Sequence, residues 1–258
     1  MSTDQVKEKV RERYAKIAEG KISNCCGDSV SPSEDTYTTD TMAEKYAIAE
    51  VEGIPGDANM GLGCGTPTAF LDLQEGDTVL DLGSGGGIDV FIAAKKVGPR
   101  GRAIGVDMTR EMIEKAQKNA RKTNLTNVEF RPGEIENLPV ETESIDRVIS
   151  NCVINLVPDK GRAFREIHRV LKPGGSFVVS DIVAIGEIPE EIKKDMELWA
   201  GCVAGALRKE DYLQTIKESG FEEVSILAEK TYDYLRSNRY ALASVTIRGE
   251  KKETKEEN

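Results

Sequence analysis

The stretch that most constrains this chain is Val79-Leu80-Asp81-Leu82, which runs straight into Gly83-Ser84-Gly85-Gly86-Gly87 and then into Ile88-Asp89-Val90-Phe91-Ile92-Ala93-Ala94. An apolar strand that empties through glycines into a helix makes a ligand cradle. The glycines admit positive φ and close approach, and the helix start offers free N–H groups. Beyond it, strand and helix patterns alternate. Thr78–Leu82, 102–107, Asn127–Arg131, Asp146–Ser150 and Ser176–Asp181 read as strands, with helices over Arg110–Thr123 and Asp159–Leu171. Such alternation predicts a doubly wound α/β fold with a mostly parallel sheet. Glu223–Leu227 and Tyr240–Ile247 read as two last strands, an antiparallel edge pair that brings the sheet to seven.

The flanks divide the chain into an N-terminal helical and lid-like segment (1–70), a core (71–183), and a helical insertion with edge strands (184–258). Residues 2–19 read as a capped helix with Val6, Val10, Tyr14 and Ile17 on one face, ended by Gly20. The polar stretch through Asp40 reads as a lid, followed by a helix over Thr41–Ala49. The irregular segment Val51–Gly65 sets Cys64 between glycines, an exposed, close-approach setting, and Thr66-Pro67 opens a short helix. Residues 188–218 read as two helices.

A dinucleotide fingerprint places pyrophosphate on the helix start, but Asp81, two residues before Gly83, would repel it. A carboxylate there suits a cation. S-adenosylmethionine has an ammonium and a sulfonium and no phosphate. Asp107, ending the next strand, suits ribose hydroxyls. The stretch resembles motif I of the class I S-adenosylmethionine-dependent methyltransferases, which have a Rossmann-like fold, and Leu171-Lys172-Pro173-Gly174-Gly175 resembles a structural turn of that family. The resemblance implies a cofactor site formed by Asp81, Gly83, Ser84, Gly85, Gly87, Asp107, Met108, Gly133, Glu134, Ile135 and Asn151. Glu134 and Ile135 fit the adenine position by place alone. Asn151 and Asn155 suit either ligand positioning or turn capping.

The net charge of −10 argues against a general nucleic-acid binder and for a small-molecule partner. No apolar run approaches the ~18–20 residues of a membrane span, and no N-terminal hydrophobic segment suggests export, so the expected location is the cytoplasm. There are five cysteines, an odd number without a C-x-x-C pair, which disfavours a disulfide framework or a zinc finger. No resident metal is expected.

Cys152 follows the fourth strand, beside the place expected for the sulfonium methyl. A methyl acceptor of oxygen or nitrogen would call for a general base, yet the single histidine, His168, sits in a helix and reads as structural. Soft thiolates select soft ions, and trivalent arsenic held by thiolates keeps a lone pair and needs no base. Gly61-Leu62-Gly63-Cys64-Gly65, Ser150-Asn151-Cys152-Val153-Ile154-Asn155-Leu156 and Trp199-Ala200-Gly201-Cys202-Val203-Ala204-Gly205-Ala206-Leu207 resemble the cysteine motifs of arsenite methyltransferases, and Cys25-Cys26 resembles that family's N-terminal cysteine. This likeness spans about residues 20 to 245. It implies Cys64, Cys152 and Cys202 as As(III) ligands and Cys25 or Cys26 as a redox thiol. It also implies arsenite or its thiol conjugates as substrate, and a reductant such as thioredoxin or glutathione. The short C-terminal region implies that any extra domain of longer relatives is absent. Two other readings remain: a C- or O-methyltransferase of a small organic acceptor, and a non-enzymatic thiol binder of metalloids. In the first the cysteines are incidental, and any one of them taken alone also fits a small buried hydrophobe.

Overall fold

Alternate residues of the central strands bury on opposite faces of one sheet, which is the period of two that a doubly covered strand requires. The structure, a computed structural model, describes residues 2–22, 46–232 and 240–253. Its strands are β1 (Thr78–Leu82), β2 (Arg102–Asp107), β3 (Val128–Pro132), β4 (Ile145–Asn151), β5 (Leu171–Gly186), β6 (Glu223–Tyr232) and β7 (Tyr240–Glu250). They form a seven-stranded sheet in the order β3-β2-β1-β4-β5-β7-β6. The first five named in that order are parallel, and β7 runs antiparallel between β5 and β6. The order reverses at β1 and β4, so the crevice beyond their carboxyl ends is where an open α/β sheet takes a ligand.

Val79, Ala103, Ile149 and Val178 meet α3 (Ile88–Val97) and α4 (Arg110–Ala120) on one face. Leu80, Ile104, Val148, Phe177 and Val179 meet α5 (Lys160–Val170) and α8 (Lys209–Glu218) on the other. Fully buried Phe164 packs against Tyr212 and Phe177 at ring distances of 5.6 and 5.8 Å. His168 meets Phe221 edge-on at 5.1 Å, a packing position.

A third apolar cluster lies over the carboxyl ends of the strands. It contains Val6 and Val10 of α1 (Thr3–Ala18), Ile182, Ala184, Leu242 and the three described cysteines. Ser2 and Gln5 form a reciprocal capping box on α1.

Three features differ from the sequence reading. β5 is not the short strand Ser176–Asp181, because β7 pairs with it as far as Gly186↔Tyr240 while β4 stops at Asn151↔Ser180. The pair therefore overhangs the parallel strands. Lys172–Gly175 is a bulge within β5, with Ile145 opposite Leu171 and Arg147 opposite Ser176. Three helices rather than two fill 188–218: the short α6 (Glu190–Lys193), α7 (Met196–Ala200) and α8. Asp195 restarts the chain as α7 by accepting from the N–H groups of Glu197 and Leu198 at 2.9 and 3.0 Å. Of the helix expected over 41–49, only α2 (Ile48–Val51) and its approach fall among the described residues. Cys25, Cys26 and the lid-like stretch lie outside them.

Phe164→Ala should remove about 3–5 kcal/mol of folding stability, read as a lowered midpoint of urea unfolding. A change below about 1 kcal/mol would mean that this layer is not a packed core.

Candidate active site

The glycine turn between β1 and α3 is held to the next strand by its own backbone. Gly83 and Ser84 donate to the Val106 carbonyl at 2.8 and 3.1 Å, and Gly85 donates to Asp107 Oδ2 at 3.0 Å. Thr109 N–H occupies Asp107 Oδ1 at 2.8 Å. Gly83, Gly85 and Gly87 have φ of +69, +49 and +95°, which a side chain resists. At Gly86 a Cβ would sit 2.7 Å from the Ala58 carbonyl. The turn opens onto a cleft of about 1150 Å³, solvent at its mouth included.

Asp81, Gly83, Ser84, Gly85, Asp107, Met108, Gly133, Ile135, Asn151 and Cys152 line this cleft. Gly87 instead caps α3 behind the turn. Glu134 does not line the cleft and pairs with Lys7 at 2.8 Å and Arg11 at 3.6 Å, whereas Glu136, which Lys7 also pairs with at 3.0 Å, lines it together with Lys7. The sequence reading did not pick out Asp89, Tyr46, Met60 or Glu136, all of which line it. Asp89 carried a signal, an acid inside the apolar run Ile88–Ala94. Tyr46 carried none.

The wall of the cleft is acidic. Burial, then the charges of Asp89 and Asp107, push the Asp81 carboxyl well up from the usual range. Burial lifts Asp89 to about 6, against hydrogen bonds from Asn151 and Tyr46. Burial also raises Asp107, partly offset by the Thr109 and Gly85 N–H groups. Asp89 Oδ2 accepts from Tyr46 Oη at 2.9 Å and Asn151 Nδ2 at 3.3 Å. Ser84 Oγ and Asp89 Oδ1 are buried with no partner among the described residues.

Beside this cleft the three described cysteines come together, at 2, 4 and 2% exposure for Cys64, Cys152 and Cys202. The exposed setting expected for Cys64 is corrected. Its flanking glycines allow close packing, not exposure. A Cβ on Gly63 would lie 2.5 Å from Asn151 Nδ2, and one on Gly65 would overlap Ser180 Oγ. Asn151 Oδ1 accepts from the N–H groups of Cys64 and Gly65 at 3.0 and 3.2 Å, and Ser244 Oγ donates to the Cys64 carbonyl at 2.7 Å.

Cys152 Sγ lies 3.9 Å from Cys202 Sγ. Both residues hold φ of +62°, a region few non-glycine residues occupy. Cys152 N–H donates to the Ser180 carbonyl at 2.7 Å, and Asn155 Nδ2 donates to the Cys202 carbonyl at 2.8 Å. Burial pushes the Cys64 thiol up. The neighbouring Cys202 and Cys64 thiols, then burial, push Cys152 well up. Cys64 and Cys152 are thiols rather than standing thiolates. Among the described residues, no three His, Cys, Asp or Glu side chains are already set as a metal site.

Behind the thiols lies a buried polar layer. Asp181 accepts from Asn155 N–H at 2.8 Å, Tyr212 Oη at 2.9 Å and Ile182 N–H at 2.9 Å, and burial lifts it to about 6. Lys160 Nζ donates to the carbonyls of Asn155 and Val157 at 3.0 and 2.9 Å and lies 5.4 Å from the Trp199 ring centre. Burial lowers it to about 8.

A glycine cradle at the switch point of a seven-stranded sheet, with its reversed strand next to the edge, is the architecture of a class I methyltransferase. The family model described as a methyltransferase domain matches residues 73–220. An arsenite methyltransferase of Halobacterium salinarum is 47% identical over 86% of this chain and 59% of its own. One of Mus musculus is 41% identical over 78% of this chain and 57% of its own. The crystal structure of CrArsM, an arsenic(III) S-adenosylmethionine methyltransferase from Chlamydomonas reinhardtii, superimposes with a TM-score of 0.71 at 35% identity, over 78% of this chain and 71% of that one. The chain belongs to the arsenite methyltransferase family of class I methyltransferases. It spans less than two thirds of the length of the two curated relatives named here.

Gly65→Ala should push the Cys64 loop off Ser180. Peptide-resolved alkylation by mass spectrometry should then label Cys64 at least about tenfold faster, since local opening governs access to a buried thiol. Unchanged labelling would mean that this packing does not bury the sulfur.

Proposed function

We propose that this chain methylates trivalent arsenic bound as a thiolate complex, using S-adenosylmethionine. The observation that carries the reading is that Cys64, Cys152 and Cys202, remote in sequence, converge at the cleft that begins at the glycine turn. Cys152 itself lines that cleft.

The cleft fits the cofactor by its donor set. Asp81, Asp89 and Asp107 suit a cation and hydroxyl donors and disfavour phosphate, and unpartnered Asp89 Oδ1 and Ser84 Oγ await polar partners. Asp107 would take ribose hydroxyls, Ile135 would lie against the adenine, and Met108, Gly133 and the turn glycines would frame the nucleoside. When bound, S-adenosylmethionine supplies a methyl group on a positively charged sulfur, open to displacement by a soft lone pair such as that of As(III).

The chain's own residues do the rest. Arsenite exchanges onto the three thiols: three As–S bonds form, three As–O bonds break, and each thiol proton leaves in water. With a glutathione conjugate, the protons leave on glutathione thiols. Buried thiols suit this exchange, because the neutral trithiolate product leaves no net charge in an apolar site. The arsenic lone pair then needs no base. His168 is packed on Phe221 and does not line the cleft.

Uptake of a methyl cation formally oxidises arsenic by two electrons. The pair returns when the Cys25 or Cys26 thiol closes a disulfide onto an arsenic-bound cysteine sulfur: that As–S bond breaks with its electrons to arsenic, and the thiol proton goes to solvent. An external dithiol of the thioredoxin type, or a pair of glutathione thiols, reopens the disulfide and is itself oxidised to one. The setting would be the reducing cytoplasm, with arsenic detoxification as the outcome. Among the described residues no helix is long and apolar enough to cross a membrane.

One reaction tests the reading. Protein, S-adenosylmethionine, arsenite and excess thiol should yield methylated arsenicals on chromatographic separation. Cys152→Ser should abolish them while still binding the cofactor. Methylation by that variant would exclude Cys152 as a required ligand. A wild-type protein that binds cofactor and leaves arsenite unmodified would favour a small organic acceptor.

The acids add a pH prediction. Asp81 and Asp89 hold protons more tightly than ordinary carboxylates, and a bound cation favours their ionised forms. Cofactor binding should therefore release protons, and affinity should fall as pH drops through about 6. Calorimetry in buffers of different ionisation enthalpy reads the sign, and proton uptake would contradict it.

A further inference from the structure

Asp89 is the second residue of α3 and is 4% exposed. Its carboxylate is divided into two unlike halves. Oδ2 takes the Tyr46 hydroxyl at 2.9 Å and the Asn151 amide at 3.3 Å. Oδ1 is buried and accepts from no described residue, although Asp89 lines the cleft. Nearly all buried polar atoms in folded proteins find a partner, and a carboxylate oxygen without one is among the most costly exceptions. The nearby Lys96 does not supply one, as its ammonium is engaged by Glu50 Oε1 at 2.9 Å and the Thr68 carbonyl at 3.0 Å.

The two donors on Oδ2 also fix the direction of Oδ1. Tyr46 and Asn151 come from separate parts of the chain, and Asn151 is itself held by the Gly65 carbonyl at 2.7 Å. The carboxylate cannot swing to find another partner without breaking both bonds. Asp81 stands on the same face of the sheet. It alternates with Leu80 and Leu82, which point to the α5 side, and so faces α3 as Asp89 does from the helix. Two carboxylates thus border one end of the cleft, and neither forms an ion pair among the described residues.

We propose that Asp89 Oδ1 anchors the primary ammonium of the amino-acid end of the cofactor, with Asp81 as the second carboxylate. This rests on the S-adenosylmethionine reading above. The cofactor has two cationic centres, and hydrogen-bond chemistry separates them. An unpartnered acceptor needs a donor. An ammonium has three N–H groups, whereas a sulfonium has none. The sulfonium belongs nearer Cys152, where the methyl must meet arsenic. Asp89 is thus a binding residue with a charge-specific task, and Tyr46 and Asn151 are positioning residues that aim it.

The experiment is direct binding, by calorimetry, of three ligands to wild-type protein and Asp89→Asn. S-adenosylmethionine carries both ammonium and sulfonium, S-adenosylhomocysteine carries the ammonium alone, and 5′-methylthioadenosine carries neither. The variant should weaken the first two by the same factor, about tenfold or more, and leave the third within about twofold. Equal weakening of all three would make Asp89 a support of the pocket and overturn the proposal. Weakening of S-adenosylmethionine alone would assign Asp89 to the sulfonium, and no weakening would remove it from the site. Each of these leaves the methyltransferase reading standing. A wild-type protein that binds none of the three would remove both.

A variant-free arm guards against misfolding. Wild-type protein should bind the desamino analogue of S-adenosylhomocysteine about tenfold or more weakly than the parent, and equal binding would overturn the assignment.

Discussion

The side-chain amide of Asn151 joins parts of the molecule that are far apart in sequence. Its oxygen takes the N–H groups of Cys64 and Gly65, and its nitrogen reaches the Gly65 carbonyl, Asp89 and Tyr46. Asn151 ends β4, a strand in the middle of the sheet, so the amide is fixed by the fold itself. The Cys64 loop has no regular structure of its own and takes its position from that amide. Gly63 and Gly65 follow as requirements, because any side chain there would occupy the space of Asn151 or Ser180. The same nitrogen aims the carboxylate of Asp89. One residue thus sets the geometry of the acidic end of the cleft and of one thiol at once.

A second polar layer does the corresponding work from the opposite face. Asp181 faces α8, where Tyr212 and the Asn155 backbone donate to it. Asn155 then reaches the Cys202 carbonyl, and Lys160 ties the Asn155 turn to the Trp199 ring. Cys64 arrives over the α3 face, where Ser180, Ser244 and Thr246 lie, and Cys202 is held from the α8 face. They meet above the end of β4, where Cys152 begins the turn. The overhang of β5 and β7 forms the wall behind them. Buried polar groups are costly unless satisfied, and here nearly every bond serves to bring two loops to one place.

Much of the fold was readable because it rests on local periodicity. The two-residue alternation in β1, β2 and β4 and the glycine turn are properties of short segments, and the strand order follows from their succession. What escaped the reading depended on distant partners. Cys64 looked exposed between its glycines, yet the residues that bury it, Asn151 and Ser244, lie 87 and 180 positions away. β5 looked short, because beyond Asp181 it is paired along β7, with one further bridge from Ala184 to Arg208, and has no parallel neighbour strand. Asp89 stood out in the sequence as an acid inside an apolar run, but at a helix start, where acids are common. The cleft and the unpartnered oxygen are what give it a place in the site. Glu134 and Glu136 share Lys7 of α1 and were separable only in the fold, where Arg11 pairs with Glu134 alone and Glu136 is buried at the cleft.

Cys152 and Cys202 share a left-handed backbone that glycine would adopt without strain. Holding a side-chain-bearing residue there costs about 1–3 kcal/mol, so glycine at either position would relieve the backbone against the loss of one small buried side chain. Cysteine and glycine codons differ by a single base, which makes that exchange a short mutational step. For anyone engineering this scaffold, a search guided by backbone strain alone would select glycine at 152 and 202 and remove the sulfur. Both positions should be frozen before any such optimisation begins.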